Sequence, residues 1–224
     1  MKSLQAKLLN CKYKSREEAV NDHKNNYRSQ GGLKDKFRPD GPDKYRIARI
    51  CDNVPEGSMV LDIGCNDGSL GYLLQKKSCT VFGVDAVSEL VEVAKRKGVF
   101  AKVAEAEELP FPENRFDVAV CAETLEHLFD PEYGVKEAHR VLKPGGIFLG
   151  SVPHPNGYMG ISRHADYHQF WFDVDILMEL LGGYFQNVVF EGIPYSQEFC
   201  NKNNLSKDMK QWIFFHCKKE QVAP

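Results

Sequence analysis

A chain of 224 residues, 42% hydrophobic and 27% charged, has the size and make-up of one globular domain with a short appendage. Its 29 Lys and Arg against 31 Asp and Glu leave a formal charge of -2, which excludes a polyanion binder that relies on bulk positive charge. No apolar run approaches the roughly 18 residues of a membrane span, and Met1 to Asn10 is too polar for a signal-peptide core.

Ser15 followed by Glu18 is a capping-box start, and predicts a helix to about Arg28 that Gly31-Gly32 ends. Arg38-Pro39-Asp40-Gly41-Pro42 reads as a hinge, and Lys44 to Asp52 as a second helix. From Met59 apolar strands alternate with amphipathic helices. Strands are predicted at 59–63, 80–84, 99–103, 116–121 and 147–152. Helices are predicted at 69–77, 88–97 and 131–142, the last closed by Pro144-Gly145-Gly146. A helix at 173–181 and strands at 187–190 and 211–217 follow, with no strong helical stripe between those strands. Such alternation predicts an α/β fold: a Rossmann-like, seven-stranded, mostly parallel sheet with helices on both faces and an antiparallel strand near the C-terminus. Residues 1–53 would form an N-terminal helical cap, 54–224 the main domain, and about 153–173 the acceptor-pocket segment. The seven cysteines, Cys11, Cys51, Cys65, Cys79, Cys121, Cys200 and Cys217, form no CxxC pair and read as reduced thiols of a cytoplasmic protein.

In open parallel sheets, ligands bind beyond the C-terminal strand ends. The first strand runs Val60-Leu61-Asp62-Ile63 into Gly64-Cys65-Asn66-Asp67-Gly68, where the glycines allow a sharp turn and close ligand approach. Asn66 and Ser69 replace the glycines a dinucleotide fingerprint needs, and no Gly-Lys-Ser/Thr follows to make a P-loop. The loop therefore suits an adenosine ligand without a pyrophosphate. The second strand ends at Asp85, whose carboxylate can accept from two ribose hydroxyls.

Val60 to Gly68 resembles motif I of the class I S-adenosylmethionine-dependent methyltransferases, type 11-like. Four further segments resemble the same family in the same order: Asp85, Glu105-Ala106-Glu107-Glu108-Leu109-Pro110-Phe111, Phe116 to Cys121, and His139 to Gly146. The resemblance implies S-adenosyl-L-methionine as cofactor. It places Asp62, Gly64, Cys65, Asn66 and Gly68 at the methionine side, and Asp85 with Ala86 at the ribose. Glu105 and Ala106 would meet the adenine, and Cys121 would stand behind the transferring methyl. An N-terminal addition in this family often lies over the site as a lid.

In-line methyl transfer to a hydroxyl needs alignment and a base. His127, His154 and His168 are the base candidates, with His164 in the same stretch. Glu123, Glu126 and His127 form E-x-x-E-H, which on a helix would share one face and could hold a divalent cation. Ubiquinone-biosynthesis O-methyltransferases and small-RNA 2′-O-methyltransferases carry a similar motif, and in both a cation would acidify neighbouring hydroxyls. Tyr158, Tyr167, Phe170, Trp171 and Phe172 read either as an aromatic wall or as cover for the sheet edge. The basic run Lys34, Lys36, Arg38, Lys44, Arg46 and Arg49 reads as a solvated face. The leading expectation is O-methylation of a small metabolite with a histidine base. The rivals are a metal-dependent RNA 2′-O-methyltransferase, disfavoured by the near-neutral charge, and a non-catalytic cofactor-binding partner subunit. The residues leave the acceptor and the oligomeric state open.

Overall fold

The computed structural model describes residues 14–29, 41, 44–157, 168–206 and 208–221. Gly31-Gly32, most of the Arg38–Pro42 hinge, Cys11, Tyr158, His164 and Tyr167 lie outside them.

Helix α1 spans Arg16–Ser29. Ser15 Oγ accepts from the Glu18 N–H at 3.2 Å. The Glu18 carboxylate reaches back to the Lys14 N–H at 2.9 Å, one residue before the expected cap partner. Helix α2, Lys44–Asn53, buries Ile47 and Ile50. Strand β1, Met59–Ile63, is apolar enough to be covered on both faces. There follow α3 (Ser69–Gln75), β2 (Thr80–Asp85), α4 (Ser88–Arg96), β3 (Phe100–Val103), β4 (Phe116–Ala122), α5 (Pro131–Val141) and β5 (Leu142–Pro153). Asp130 caps α5 by accepting from the Glu132 and Tyr133 N–H groups, and Pro131 at the first turn needs no partner. The chain closes with α6 (Val174–Gly182), β6 (Gln186–Pro194), α7 (Gln197–Lys202) and β7 (Lys210–Lys218).

The sheet order is β3-β2-β1-β4-β5-β7-β6. β1 pairs in parallel with β2 and β4, as β2 does with β3 and β4 with β5. β7 inserts between β5 and β6 and runs antiparallel to both. Alternate strand residues feed two cores. Leu61, Ile63 and Phe148 pack with Val135, Ala138 and Leu177 on one face. Val60, Val81 and Val118 pack with Ile50, Leu74 and Val91 on the other. Each fully buried Leu, Ile or Phe contributes about 1.5–3 kcal/mol relative to exposure.

Two expectations need correction. Pro144-Gly145-Gly146 lies inside β5 rather than closing α5. Leu142 already pairs with Phe116, and a register shift at Phe116/Val118 absorbs the turn-forming residues, with Gly145 at φ 77°. The link between β6 and β7 does contain a helix, the six-residue α7. Ser196 caps it and Cys200 is the residue it buries, too few positions to show a stripe. No helix among the described residues is long and apolar enough to cross a membrane.

Candidate active site

The C-terminal ends of β1, β2 and β4 converge at the switch in strand order, and a cavity of about 320 Å³ opens there. The turn after β1 needs left-handed backbone at Gly64 (φ 75°), Asn66 (φ 49°) and Gly68 (φ 76°). A Cβ on Gly64 would stand 2.2 Å from Thr124 Oγ1, so the first glycine admits the β4 loop. Thr124 Oγ1 lies 3.2 Å from the carbonyls of both Ile63 and Ala122 and ties the two strand ends together. The Gly64 and Cys65 N–H groups both donate to the Val84 carbonyl at 2.9 Å.

Of the residues that the resemblance assigns to the cofactor, Asp62, Gly64, Cys65, Asn66, Asp85, Ala86, Glu105 and Ala106 line the cavity. Gly68 and Cys121 do not. Gly68 is a packing glycine: a Cβ there would meet Ala94 Cα at 2.7 Å, so it lets α3 approach α4. Cys121 lies 1% exposed in the core behind the wall, and burial pushes its thiol well up. Asp62 is 2% exposed, and its Oδ2 accepts no hydrogen bond among the described residues. Burial, then Asp85, then Asp67 push its carboxyl up to about 7. Asp85 accepts from the N–H groups of Asn66 and Val87, each at 2.9 Å, which fixes its carboxylate at the cavity wall.

On the other side, Glu123, Glu126 and His127 do not share a helical face. Glu123 sits at φ 54° before a single 3₁₀ turn, Leu125–His127. Its carboxylate accepts from Ser151 Oγ at 3.0 Å and Trp212 Nε1 at 2.9 Å. The group that does converge is Glu126, His127 and His168, whose candidate ligand atoms lie within 4.8 Å of one another. Ligands on one cation with bonds near 2.1 Å stand about 3–3.5 Å apart, closer than the 4.8 Å within which these atoms lie. Glu126 is 1% exposed, and neither carboxylate oxygen accepts a hydrogen bond among the described residues. Burial and then the Glu123 charge raise its pKa well above the carboxylate range.

His127 lines the cavity, with Nε2 3.7 Å from Glu126 Oε1. His168 stands behind it, ring to ring at 4.9 Å, and packs on Trp171 at 5.0 Å. Burial pulls His168 down to about 4 and keeps it neutral at physiological pH. His154 does not line this cavity: its Nδ1 accepts from the Asn156 N–H at 3.1 Å and shapes a turn. Phe170 and Phe172 belong to the hydrophobic core and do not line this cavity.

The cavity residues that the sequence reading passed over include two charged ones, Arg46 and Glu107. Arg46 is 6% exposed and lines the cavity. Its guanidinium lies 5.2 Å from the Trp212 ring centre, with Nη1 3.5 Å from Ser151 Oγ. The solvated-face reading therefore fails for Arg46, although Arg49 of the same run is exposed. The signal was present: Arg46 and Ile50 are four apart, on the buried face of α2. Glu107, passed over in the adenine segment, has a side chain 6% exposed. Ala19 and Val20 of α1 also line the cavity, and Arg16 Nε meets Glu105 Oε2 at 2.5 Å.

Residues 61–150 match the family model described as a methyltransferase domain. A ubiquinone biosynthesis O-methyltransferase of Pseudomonas aeruginosa is 34% identical over 123 residues, 50% of this chain and 52% of that protein. A tRNA (carboxymethyluridine(34)-5-O)-methyltransferase of Arabidopsis thaliana is 34% identical over 110 residues, 48% of this chain and 27% of that protein. The chain thus spans about half, or less, of the length of these curated relatives. A SAM-dependent methyltransferase from Thermotoga maritima has the same fold, with a TM-score of 0.66 at 20% identity over 91% of this chain and 98% of its own. The segment is thus similar to methyltransferase domains, and the sheet around it is the class I methyltransferase fold.

Proposed function

We propose that this chain is an S-adenosylmethionine-dependent methyltransferase that methylates an oxygen of a small metabolite. One observation carries the reading: Asp62, Asp85 and His127 face a single cavity at the strand-order switch. The unsatisfied Oδ2 of Asp62 suits the ammonium of the cofactor's methionine end, and Arg46 on the same wall suits its carboxylate. Asp85 accepts from the ribose hydroxyls, and Glu105 with Ala106 meets the adenine. When bound, the cofactor supplies an electrophilic methyl on a sulfonium. The chain aligns the acceptor with that methyl and shields it from water with Leu128, Phe129, Ala19 and Val20. His127 takes the hydroxyl proton of the acceptor.

A second reading rests on buried Glu126. With His127 and His168 it would hold a divalent cation that acidifies the acceptor hydroxyl, the chemistry that an RNA 2′-hydroxyl acceptor would need as well. A cytoplasmic setting is supported by six cysteines that are free among the described residues.

The test is transfer of label from S-adenosylmethionine into a fractionated cell extract, with and without a chelator. Label in small molecules that survives chelation supports the first reading. Label in RNA that the chelator abolishes supports the second. Calorimetry with S-adenosylhomocysteine runs beside it: binding without transfer in any fraction means a non-catalytic cofactor-binding subunit, and no binding sinks the assignment. Asp85→Ala abolishes the binding if the ribose contact is as described.

A further inference from the structure

Glu107 lies at the meeting of three segments around the cavity. It sits in the stretch 104–107, all of which lines the cavity at the end proposed for adenine. Its Oε1 accepts from the N–H groups of Phe129 at 3.0 Å and Asp130 at 3.3 Å. Those residues directly follow His127 and Leu128, and Phe129 itself lines the cavity. Its Oε2 is 4.0 Å from Arg16 Nε of α1, which also reaches Glu105 and Glu108. The loop is held from its other side too: Gln169 Nε2 donates to the His127 carbonyl at 2.8 Å, and the Gln169 N–H donates to the Glu126 carbonyl at 2.8 Å.

A carboxylate buried to this degree is costly unless it accepts hydrogen bonds. Here backbone amides of another segment supply them, so the two segments cannot move independently while Glu107 holds both. The 3₁₀ turn carrying His127 is only three residues long, and its own backbone bonds fix it weakly. Its position is set by anchors from outside: Gln169 upstream, Glu107 downstream.

We infer that Glu107 is a positioning residue that couples occupancy of the adenine end to the placement of His127 at the acceptor end. It touches neither reacting atom. A cofactor that fastens residues 104–107 thereby fastens residues 127–130, and the acceptor side is completed only after the cofactor is seated. This implies ordered binding, cofactor first. The inference rests on the cofactor reading given above.

The test uses the full chain with S-adenosylhomocysteine as probe, Glu107→Met and Glu107→Gln as variants, and hydrogen exchange of residues 127–130 as readout. Met keeps the buried stem and removes the acceptor, whereas Gln keeps an oxygen for the Phe129 and Asp130 amides. Thermal melting first shows that each variant is folded. In the wild type the probe slows exchange at Phe129 and Asp130 about tenfold or more. In Glu107→Gln most of that protection remains. In Glu107→Met it falls below about threefold, while the affinity for the probe changes by less than about fivefold. Full protection in Glu107→Met overturns the inference, because direct contact of the probe with Leu128 and Phe129 then accounts for it. Should Glu107→Met not fold, Glu107→Ala, which also removes the acceptor, takes its place with the same two outcomes. Binding to the wild type without protection overturns this inference alone. No binding overturns the cofactor reading and this inference with it.

Discussion

Asp62 shows how a buried group can be held ready for a ligand at a cost to the empty protein. Its carboxyl ionises near 7 when folded against 3.8 ordinarily, through burial first and then Asp85 and Asp67. The folded state therefore holds the proton more tightly than the unfolded chain. Stability falls as pH rises from about 4 to about 7 and stays at the lower level above, a loss on the order of 4 kcal/mol. Asp62→Asn removes this loss. Urea unfolding should show the ligand-free variant more stable than wild type at pH 8, with that advantage gone at pH 4. The same change deletes the counter-charge for an ammonium, so S-adenosylhomocysteine binding weakens by about tenfold or more. Binding to the wild type near pH 6 should release a proton, because the ammonium favours the ionised carboxylate. Titrations in two buffers of different ionisation heat detect it, and equal heats after correction would remove Asp62 from the cofactor site. His127 is the residue-scale counterpart on the acceptor side. Once an acceptor is in hand, His127→Gln should lower kcat by roughly 10²- to 10⁴-fold and leave cofactor affinity nearly unchanged. A variant that loses affinity but keeps kcat would make His127 a binding residue.

Among the elements, α1 is held by few described contacts. Ala19 is its one fully buried hydrophobic among the described residues, and its tie to the adenine segment is Arg16 with Glu105, Glu107 and Glu108. Exposed ion pairs contribute little singly, but three carboxylates around one guanidinium act together. Reversing the charge with Arg16→Glu should speed dissociation of S-adenosylhomocysteine by about threefold or more in stopped flow, and the effect should shrink in high salt. An unchanged rate would make α1 a bystander. The contrast with the strands explains what the sequence could reveal. β1, β2 and β4 are short apolar runs bounded by turn residues, and their ends are legible to within a residue or two. So are the turn glycines, because left-handed backbone restricts residue choice locally. Glu107 was not legible as a cavity residue, and Arg46 only through its spacing from Ile50, since a charged residue reads as solvated until its tertiary neighbours are known. Glu123 failed for a related reason. E-x-x-E-H reads as a helical face only if a helix is present, and here a 3₁₀ turn and the bonds to Ser151 and Trp212 draw Glu123 away. The β1 and β2 side of the cavity follows from local backbone rules, whereas Arg46 of α2 and Glu107 reach the cavity only through tertiary packing.

For the whole molecule, the decisive question is where the domain begins. The described residues of the stretch 1–53, read in the sequence as a helical cap, hold two helices of unlike standing. Helix α2 packs Ile50, fully buried, into the core cluster of Val60, Leu74 and Val118, and Ile47 is 3% exposed. Lys77 Nζ donates to the Cys51 and Val54 carbonyls and so caps the C-terminal end of α2 from beyond α3. Arg49 reaches across to Glu191 of β6 at 2.6 Å. Helix α2 is therefore part of the folding unit, and α1 is an addition to it. Removing residues 1–29 should leave a folded protein with Tm within about 3 °C of the full chain, because little core is lost. Affinity for S-adenosylhomocysteine should still fall by about fivefold or more, since Ala19, Val20 and the Arg16 tie go with the helix. Removing residues 1–53 should give no cooperative transition, because the face of the sheet that α2 covers is then exposed. Circular dichroism melts and calorimetric titrations of the two truncations decide between these outcomes. If the shorter truncation also fails to melt cooperatively, α1 belongs to the core and a gating role for it falls. If it melts normally and binds as tightly as the full chain, α1 takes no part in holding the cofactor, and the ion pairs of Arg16 serve only to dock a surface helix.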